Sequence, residues 1–410
     1  VNRRVVITGH GLVSPGGNTA QAVEAFVSEG RSAIRLREDM CKPYGLLTRL
    51  VSPVEDFEES DFPRQMRRSM SRISLMAVHA TQRAIAEAKL PDEIVRHPRT
   101  GLSYGSTMGG TSTIERCFRS LGEKGEMHGL LSTSFLQIMS HTCAANISIA
   151  FGITGRILAS CTACASSLQA IGYAYESVKL GLSDVFIAGG AEELHGVMVG
   201  VFDTMKATST TFHDTPHLTP RPFDVRRDGL VVGEGAGTLI LEERESALRR
   251  GAPILAEIIG FATGSDGGHM TNPSSQAMER VMRLALEDAK VTPGEVSFVS
   301  AHATATSVGD VAESRAIFDV FGGQTPVNSL KGSLGHLMGA CGVIELAACM
   351  GMLERNRIAH TLNLESPDPE CAPLDYVIHS PRTAPLAVVL KNSFGFGGVN
   401  ASLVVKKASE

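Results

Sequence analysis

The sequence predicts an α/β protein built of stacked layers, and three observations carry that reading. Strand-like and helix-like segments alternate along the whole chain, which argues for layered α/β architecture with parallel strand pairing. At 410 residues the chain is long enough to bury a large core and to hold two domain-sized units. Its 42 glycines, absent tryptophan and 5% aromatic content suit closely packed layers better than an aromatic binding platform.

In chain order, the first strand is read over Arg4–Thr8, and a helix over Ser71–Ala88. Arg156-Ile157-Leu158-Ala159 is short and partly β-prone. The helix after it, Leu168–Leu180, is read from Leu168, Ile171, Tyr173, Ala174 and Val178 at helical spacing, with Gly181 as its stop. Strands follow at Asp184–Ala188 and Gly237–Leu241. Between them Thr208–Asp228, rich in Thr, Pro, His and Asp, reads as a long loop, and loops of that length are commonly functional. The polar turn Arg249-Arg250-Gly251-Ala252-Pro253 marks a boundary, after which Ile254–Phe261 plays the part of the first strand. Helices are then expected at Gln276–Ala289, Val311–Phe321 and Cys341–Glu354, and strands at Val296–Ser300, Val327–Ser329 and Val388–Lys391.

Composition excludes several classes of function. A net charge of −5 argues against nucleic acid as a general partner. Eight cysteines in this length make no disulfide framework and point to a reducing compartment. Val1-Asn2-Arg3-Arg4 leads into a strand rather than a signal-peptide apolar region. The longest apolar run, Gly339–Leu353, is interrupted by Glu345. A cytoplasmic protein is expected. One local basic cluster, Arg64, Arg67, Arg68 and Arg72, opens a helix, and Lys206 adds to it if the fold brings it near. It reads either as a solvated helix face or as a docking patch for an acidic partner.

The chemistry-bearing residues fall in four places. Cys164, within Ser160-Cys161-Thr162-Ala163-Cys164, sits where a strand hands over to a helix. Free N–H groups and the helix dipole there stabilise a thiolate and can hold an oxyanion beside the sulfur; most unpaired cysteines are instead small buried hydrophobes. His302 follows the strand Val296–Ser300, at the end where ligands bind in open α/β sheets. Lys331 and His336 lie in a glycine-rich turn between a strand and a helix, and Asp310 and Glu313 open another helix. Asn392-Ser393-Phe394-Gly395-Phe396-Gly397-Gly398 is a glycine-dense loop that permits close backbone approach, and it lacks the ending of a phosphate loop.

Taken together, Thr162-Ala163-Cys164, His302-x-Thr304-x-Thr306 with Asp310 and Glu313, Lys331-x-x-x-Gly335-His336-x-x-Gly339-Ala340 and Gly395-Phe396-Gly397-Gly398 resemble the β-ketoacyl-acyl-carrier-protein synthases. The likeness is closest to the Cys-His-His elongating type and runs from Arg3 to Val404. It implies a thiolase-like fold of five αβαβα layers made of two pseudo-symmetric halves. Residues 1–248 would carry the nucleophile, and residues 249–410 the histidines, the lysine and the glycine-rich gating loop.

The resemblance implies decarboxylative Claisen condensation. Cys164 accepts an acyl group from a carrier-protein thioester, and a malonyl thioester then adds two carbons to it. His302 and His336 stabilise the enolate, and Lys331, paired with Glu313, orders the site. The N–H groups of Cys164 and Phe396 form the oxyanion hole, and Phe396 gates the acyl pocket. Thr304 and Thr306 bind the phosphopantetheine arm, and Arg64, Arg67, Arg68 and Lys206 dock the acidic carrier protein. No cofactor or metal is implied. The assembly implied is a homodimer, or a heterodimer with a related synthase-like subunit.

Three departures stand out. Ala303 and Ala305 replace positions where the family favours glycine, or glycine and serine; positive φ at Ala303 would strain the His302 loop. Val399 replaces a common threonine. Cys161 makes a Cys-x-x-Cys with Cys164, the mark of a thiol-disulfide oxidoreductase, though such a domain has no use for His302, Lys331 and His336. Zinc binding lacks a second cysteine pair. A thiolase would place a second cysteine in the C-terminal motif, and Cys371 lies outside it. A non-catalytic, chain-length-determining partner subunit would be expected to lack Cys164, and the Ala303 and Ala305 changes keep that alternative open.

Overall fold

The computed structural model describes residues 3–58, 63–126 and 131–408. Its sheet order shows the two halves directly. From the outer edge inward, the N-terminal strands run Ile157–Ser160, Thr100–Gly105, Val185–Glu192, Gly235–Glu243 and Val5–Val13. The C-terminal strands run Pro326–Asn328, Phe298–Ser300, Val388–Gly395, Val399–Lys407 and Ala256–Ser265, with Asp375–Tyr376 added outside. Ranked in chain order within each half, both read third, second, fourth, fifth, first. The pairing senses agree as well: the outer two contacts are parallel and the inner two antiparallel.

That mixed pattern corrects the expectation of parallel pairing. The fourth and fifth strands of the C-terminal half are joined by a short turn and pair antiparallel, and in the N-terminal half the long connection holding the helix Gly196–Thr204 returns to the same end of the sheet, with the same pairing sense. Val5–Ile7 also pairs antiparallel with Ala256–Ile258, fusing the halves into one eleven-stranded sheet.

The helices expected from apolar spacing supply the other layers, joined by Thr142–Phe151, which that spacing does not predict. Arg72–Glu87 and Thr142–Phe151 cover the outer face of the N-terminal strands. Ser275–Ala289 and Ser307–Phe321 cover the outer face of the C-terminal strands. Between the halves lie Ser166–Lys179 and Cys341–Arg355, each packed against strands of both. A helix apolar all round belongs in such an interior, and residues 341–353 are all buried. The two central helices cross close to their starts. A Cβ on Gly342 would lie 2.6 Å from the Leu168 backbone nitrogen, so only glycine allows this approach.

Each central helix follows the third strand of its half and begins in the same way. A residue with left-handed φ, Ala163 (49°) or Met338 (51°), opens a 3-10 turn that runs into the α-helix. Cys164 therefore occupies the place that Gly339 holds in the other half. The repeat is invisible in side-chain identity and plain in backbone conformation.

Candidate active site

Cys164 sits on the 3-10 turn Ala163–Ala165, between the strand Ile157–Ser160 and the helix Ser166–Lys179. This is the hand-over the sequence predicts, displaced by one short turn. Its Sγ lies 3.0 Å from His336 Nε2. His336 is clamped by its backbone: its N–H donates to the Val231 carbonyl at 2.7 Å, and its own carbonyl accepts from Gly233 N–H at 2.9 Å. The other ring nitrogen, Nδ1, lies 3.1 Å from Cys341 Sγ.

His302 completes the group. Its ring packs edge-on to His336 at 5.2 Å between centroids, and the sulfur and imidazole nitrogens of Cys164, His302 and His336 lie within 4.8 Å of one another. Both His302 ring nitrogens are buried and lack a partner among the described residues. A buried polar group without a partner is costly. His302 lines a cavity of about 630 Å³ that also reaches Cys164 and His336.

The charged groups beneath the histidines differ from expectation. Lys331 does not pair with Glu313; its Nζ donates to Glu345 Oε1 at 2.7 Å. Glu313 instead accepts the backbone N–H groups of His302 (2.8 Å) and Ala303 (2.6 Å), so it shapes the loop that presents His302. Lys391 Nζ approaches the second Glu345 oxygen at 2.6 Å and donates to the Asn392 carbonyl at 2.6 Å. A charge in the middle of an apolar helix must find partners, so Glu345, read only as an interruption of an apolar run, was the available signal for this cluster. Lys391 was legible in the same way, as a lysine inside the strand Val388–Gly395.

Burial governs the titration of the site. It holds His302 and His336 well below the ordinary imidazole value, and Lys331 and Lys391 add to that effect. Both rings are therefore neutral. Burial also pushes the Cys164 thiol up to about 12, against Lys331 and the backbone N–H groups of Phe396 and Cys164, which pull it down. The expected resting thiolate is thus corrected: burial outweighs the helix N-terminus, and the sulfur rests as a thiol. The two N–H groups that pull it down are those read as the oxyanion hole. Burial raises the Glu313 carboxyl, while the Ala303 and His302 N–H groups oppose it.

The remaining expectations sort by position. Phe396 stacks on Phe202 at 5.5 Å beside the cavity, on the turn where Gly397 and Gly398 take φ of 84° and 71°. Thr304 and Thr306 line the same cavity with their hydroxyls 3.1 Å apart, and Lys206 lines it with them. Arg64 and Arg68 are exposed and Arg67 is partly exposed, but none of the three lines the cavity. Arg72 leaves the patch altogether, because its guanidinium pairs with Glu234 at 2.8 Å and bonds the Val54 carbonyl at 3.0 Å.

Positive φ falls at Ala305 (66°), whose N–H donates to Asp310, and not at Ala303. Val399 is partly buried and packs against the central core. Cys161 is exposed and bonds the Thr107 carbonyl at 3.1 Å, and all eight cysteines are free. Cys164, by contrast, is buried and its Sγ meets His336.

Residues 2–247 match the family described as beta-ketoacyl synthase, N-terminal domain, and residues 255–365 match its C-terminal domain. The chain belongs to the beta-ketoacyl synthase family. It is a condensing enzyme of the acyltransferase type. The synthase is 38% identical over 413 residues to 3-oxoacyl-acyl-carrier-protein synthase 1 of Escherichia coli K12, covering 100% of both chains. With 3-oxoacyl-acyl-carrier-protein synthase 2 of Vibrio harveyi it shares 36% identity over 417 residues, covering 100% of this chain and 99% of that one. Among solved structures, a beta-ketoacyl synthase from Burkholderia phymatum STM815 superposes with a TM-score of 0.95 at 48% identity, over 99% of this chain and 100% of that one. The ishigamide ketosynthase/chain length factor superposes with a TM-score of 0.93 at 31% identity, over 100% of both chains. The thiolase-like, pseudo-symmetric fold of the synthase agrees with these neighbours.

Proposed function

We propose that the synthase condenses an acyl group held on Cys164 with a malonyl group held on an acyl carrier protein, lengthening the chain by two carbons. One observation carries this reading: two neutral imidazoles and a thiol line the same cavity, and the His302 nitrogens have no partner among the described residues.

In the first step Cys164 Sγ attacks the acyl thioester carbonyl, and the oxyanion is held by the N–H groups of Cys164 and Phe396. One such donor is worth about 10²–10³ in rate. The tetrahedral adduct collapses, the phosphopantetheine thiolate leaves, and it takes the proton that Cys164 gave up. In the second step the malonyl carboxylate leaves as carbon dioxide. The electron pair of the broken C–C bond passes into the thioester as an enolate, whose oxygen accepts hydrogen bonds from His302 and His336. The enolate carbon then attacks the acyl carbonyl. Cys164 thiolate departs and recovers a proton from solvent.

The other residues take supporting roles in this account. Lys331 orders the field of the site through Glu345, and Glu313 holds the His302 loop. Thr304 and Thr306 hold the phosphopantetheine arm, and Phe396 admits the acyl chain by leaving its stack on Phe202. Arg64, Arg67, Arg68 and Lys206 dock the acidic carrier protein, with Lys206 at the cavity mouth. The substrates travel on phosphopantetheine and no other cofactor enters the scheme. We take the halves to divide at 248/249, within the helix Arg244–Arg249, and the working form to be a cytoplasmic homodimer, or a pair with a related synthase-like subunit. The presence of Cys164 disfavours a purely chain-length-determining role.

The test separates the two half-reactions. His336→Ala retains acylation of Cys164 and loses malonyl decarboxylation, read as carbon dioxide release. Retained decarboxylation would make the histidine structural and defeat the scheme.

A further inference from the structure

Lys391 is a fully buried charged residue to which the scheme above gives no task. Lys391 lies in the strand Val388–Gly395, opposite Ser300 of the neighbouring strand and therefore two residues from His302. Its ammonium lies 2.6 Å from Glu345 Oε2, while Lys331 holds Oε1 of the same carboxylate at 2.7 Å. Asn392, the next residue, reaches Glu313 at 3.4 Å, and Glu313 carries the His302 backbone. Packing alone does not explain a lysine here. Taking an ammonium out of water is costly, and an apolar residue of similar volume avoids that cost.

We propose that Lys391 is a positioning residue that sets the charge under the two histidines. With Lys331 it brackets Glu345, two cations to one anion, and the net positive cluster keeps both imidazoles uncharged hydrogen-bond donors. This inference rests on the decarboxylation reading. An imidazolium beside malonyl would hold its carboxylate in the ground state and oppose loss of carbon dioxide, so neutrality matters to the step. The groups facing the two rings are Cys164 and Cys341 from the central helix ends, Lys331 from its turn, Lys391 from the strand, and Glu313 through the His302 backbone. Burial and the lysines act on both rings in the same direction.

The experiment is the pH profile of malonyl decarboxylation with malonyl-acyl carrier protein, on the full-length synthase. Lys391→Met removes one cation and leaves the cluster neutral. Its acid limb moves up by about one pH unit, kcat on that limb falls, and KM for the carrier protein is unchanged. Lys391→Met combined with Glu345→Gln restores a single net positive charge, and the limb returns to the wild-type position. A structural role gives no such restoration. If the single variant does not fold, the double variant still decides, because it must show the wild-type limb. A folded Lys391→Met with the wild-type profile, or a double variant with a displaced limb, overturns the proposal. Absence of decarboxylation in the wild type would instead remove the functional reading beneath it.

Discussion

His336 stands between two thiols, with Nε2 3.0 Å from Cys164 Sγ and Nδ1 3.1 Å from Cys341 Sγ. Burial pushes the Cys341 thiol far above its ordinary range, so it stays protonated. A protonated thiol donates to Nδ1 and leaves the ring proton on Nε2, facing the cavity. Cys341→Ala removes that donor, and decarboxylation falls by about 10²-fold, the lower end of the usual span of general acid–base contributions. Cys341→Ser keeps a donor and restores the rate. Carbon dioxide release from malonyl thioester checks both.

Glu313 carries the loop that presents His302 by accepting two backbone N–H groups. Glu313→Ala leaves both donors buried and unpaired, at a cost of about 1–3 kcal/mol each. The displaced ring lowers decarboxylation by roughly 10²-fold, while acylation of Cys164 persists. Denaturant unfolding together with the two half-reaction assays separates the effects.

The two alanines beside His302 give opposite signs. Ala305 holds a φ of 66°, where a methyl is strained, so Ala305→Gly stabilises the synthase by about 1 kcal/mol. Ala303 is buried without positive φ, so Ala303→Gly destabilises it by about 1 kcal/mol. Chemical denaturation midpoints report both.

Glu192 is fully buried, and burial raises its carboxyl from 4.5 to about 7. The folded state therefore binds this proton more tightly than the unfolded chain does. The resulting stability is fully present below about pH 4.5 and is lost as pH rises through about 7. Glu192→Gln removes the dependence, so its Tm gains on the wild type at pH 8 relative to pH 5. Paired melting curves at the two pH values check the sign.

Much of this molecule was legible in the chain. Apolar spacing located the helices around Leu168–Leu180 and Cys341–Glu354, because a helix packed between two sheets must be apolar over most of its surface. The hand-overs from strand to helix exposed Cys164, and the strand end exposed His302. What sequence order hides is pairing across the fold. Lys331 and Glu313 both stand near histidines in the chain, yet Glu345 lies one buried helical face away and takes the lysine. The same limit hid the antiparallel centre of the sheet, the inward turn of Arg72 and the desolvation that keeps Cys164 a thiol. The repeat between the halves survives in strand order and in the left-handed residues Ala163 and Met338, which residue identity does not reveal.

The central claim is that Cys164 takes up the acyl chain. Intact-protein mass spectrometry after incubation with acyl-carrier-protein thioesters of several chain lengths tests it directly. The account predicts one added acyl mass per chain on the wild type and none on Cys164→Ala. A wild type that gains no acyl mass from any thioester, or a Cys164→Ala variant that gains the same mass, would contradict it.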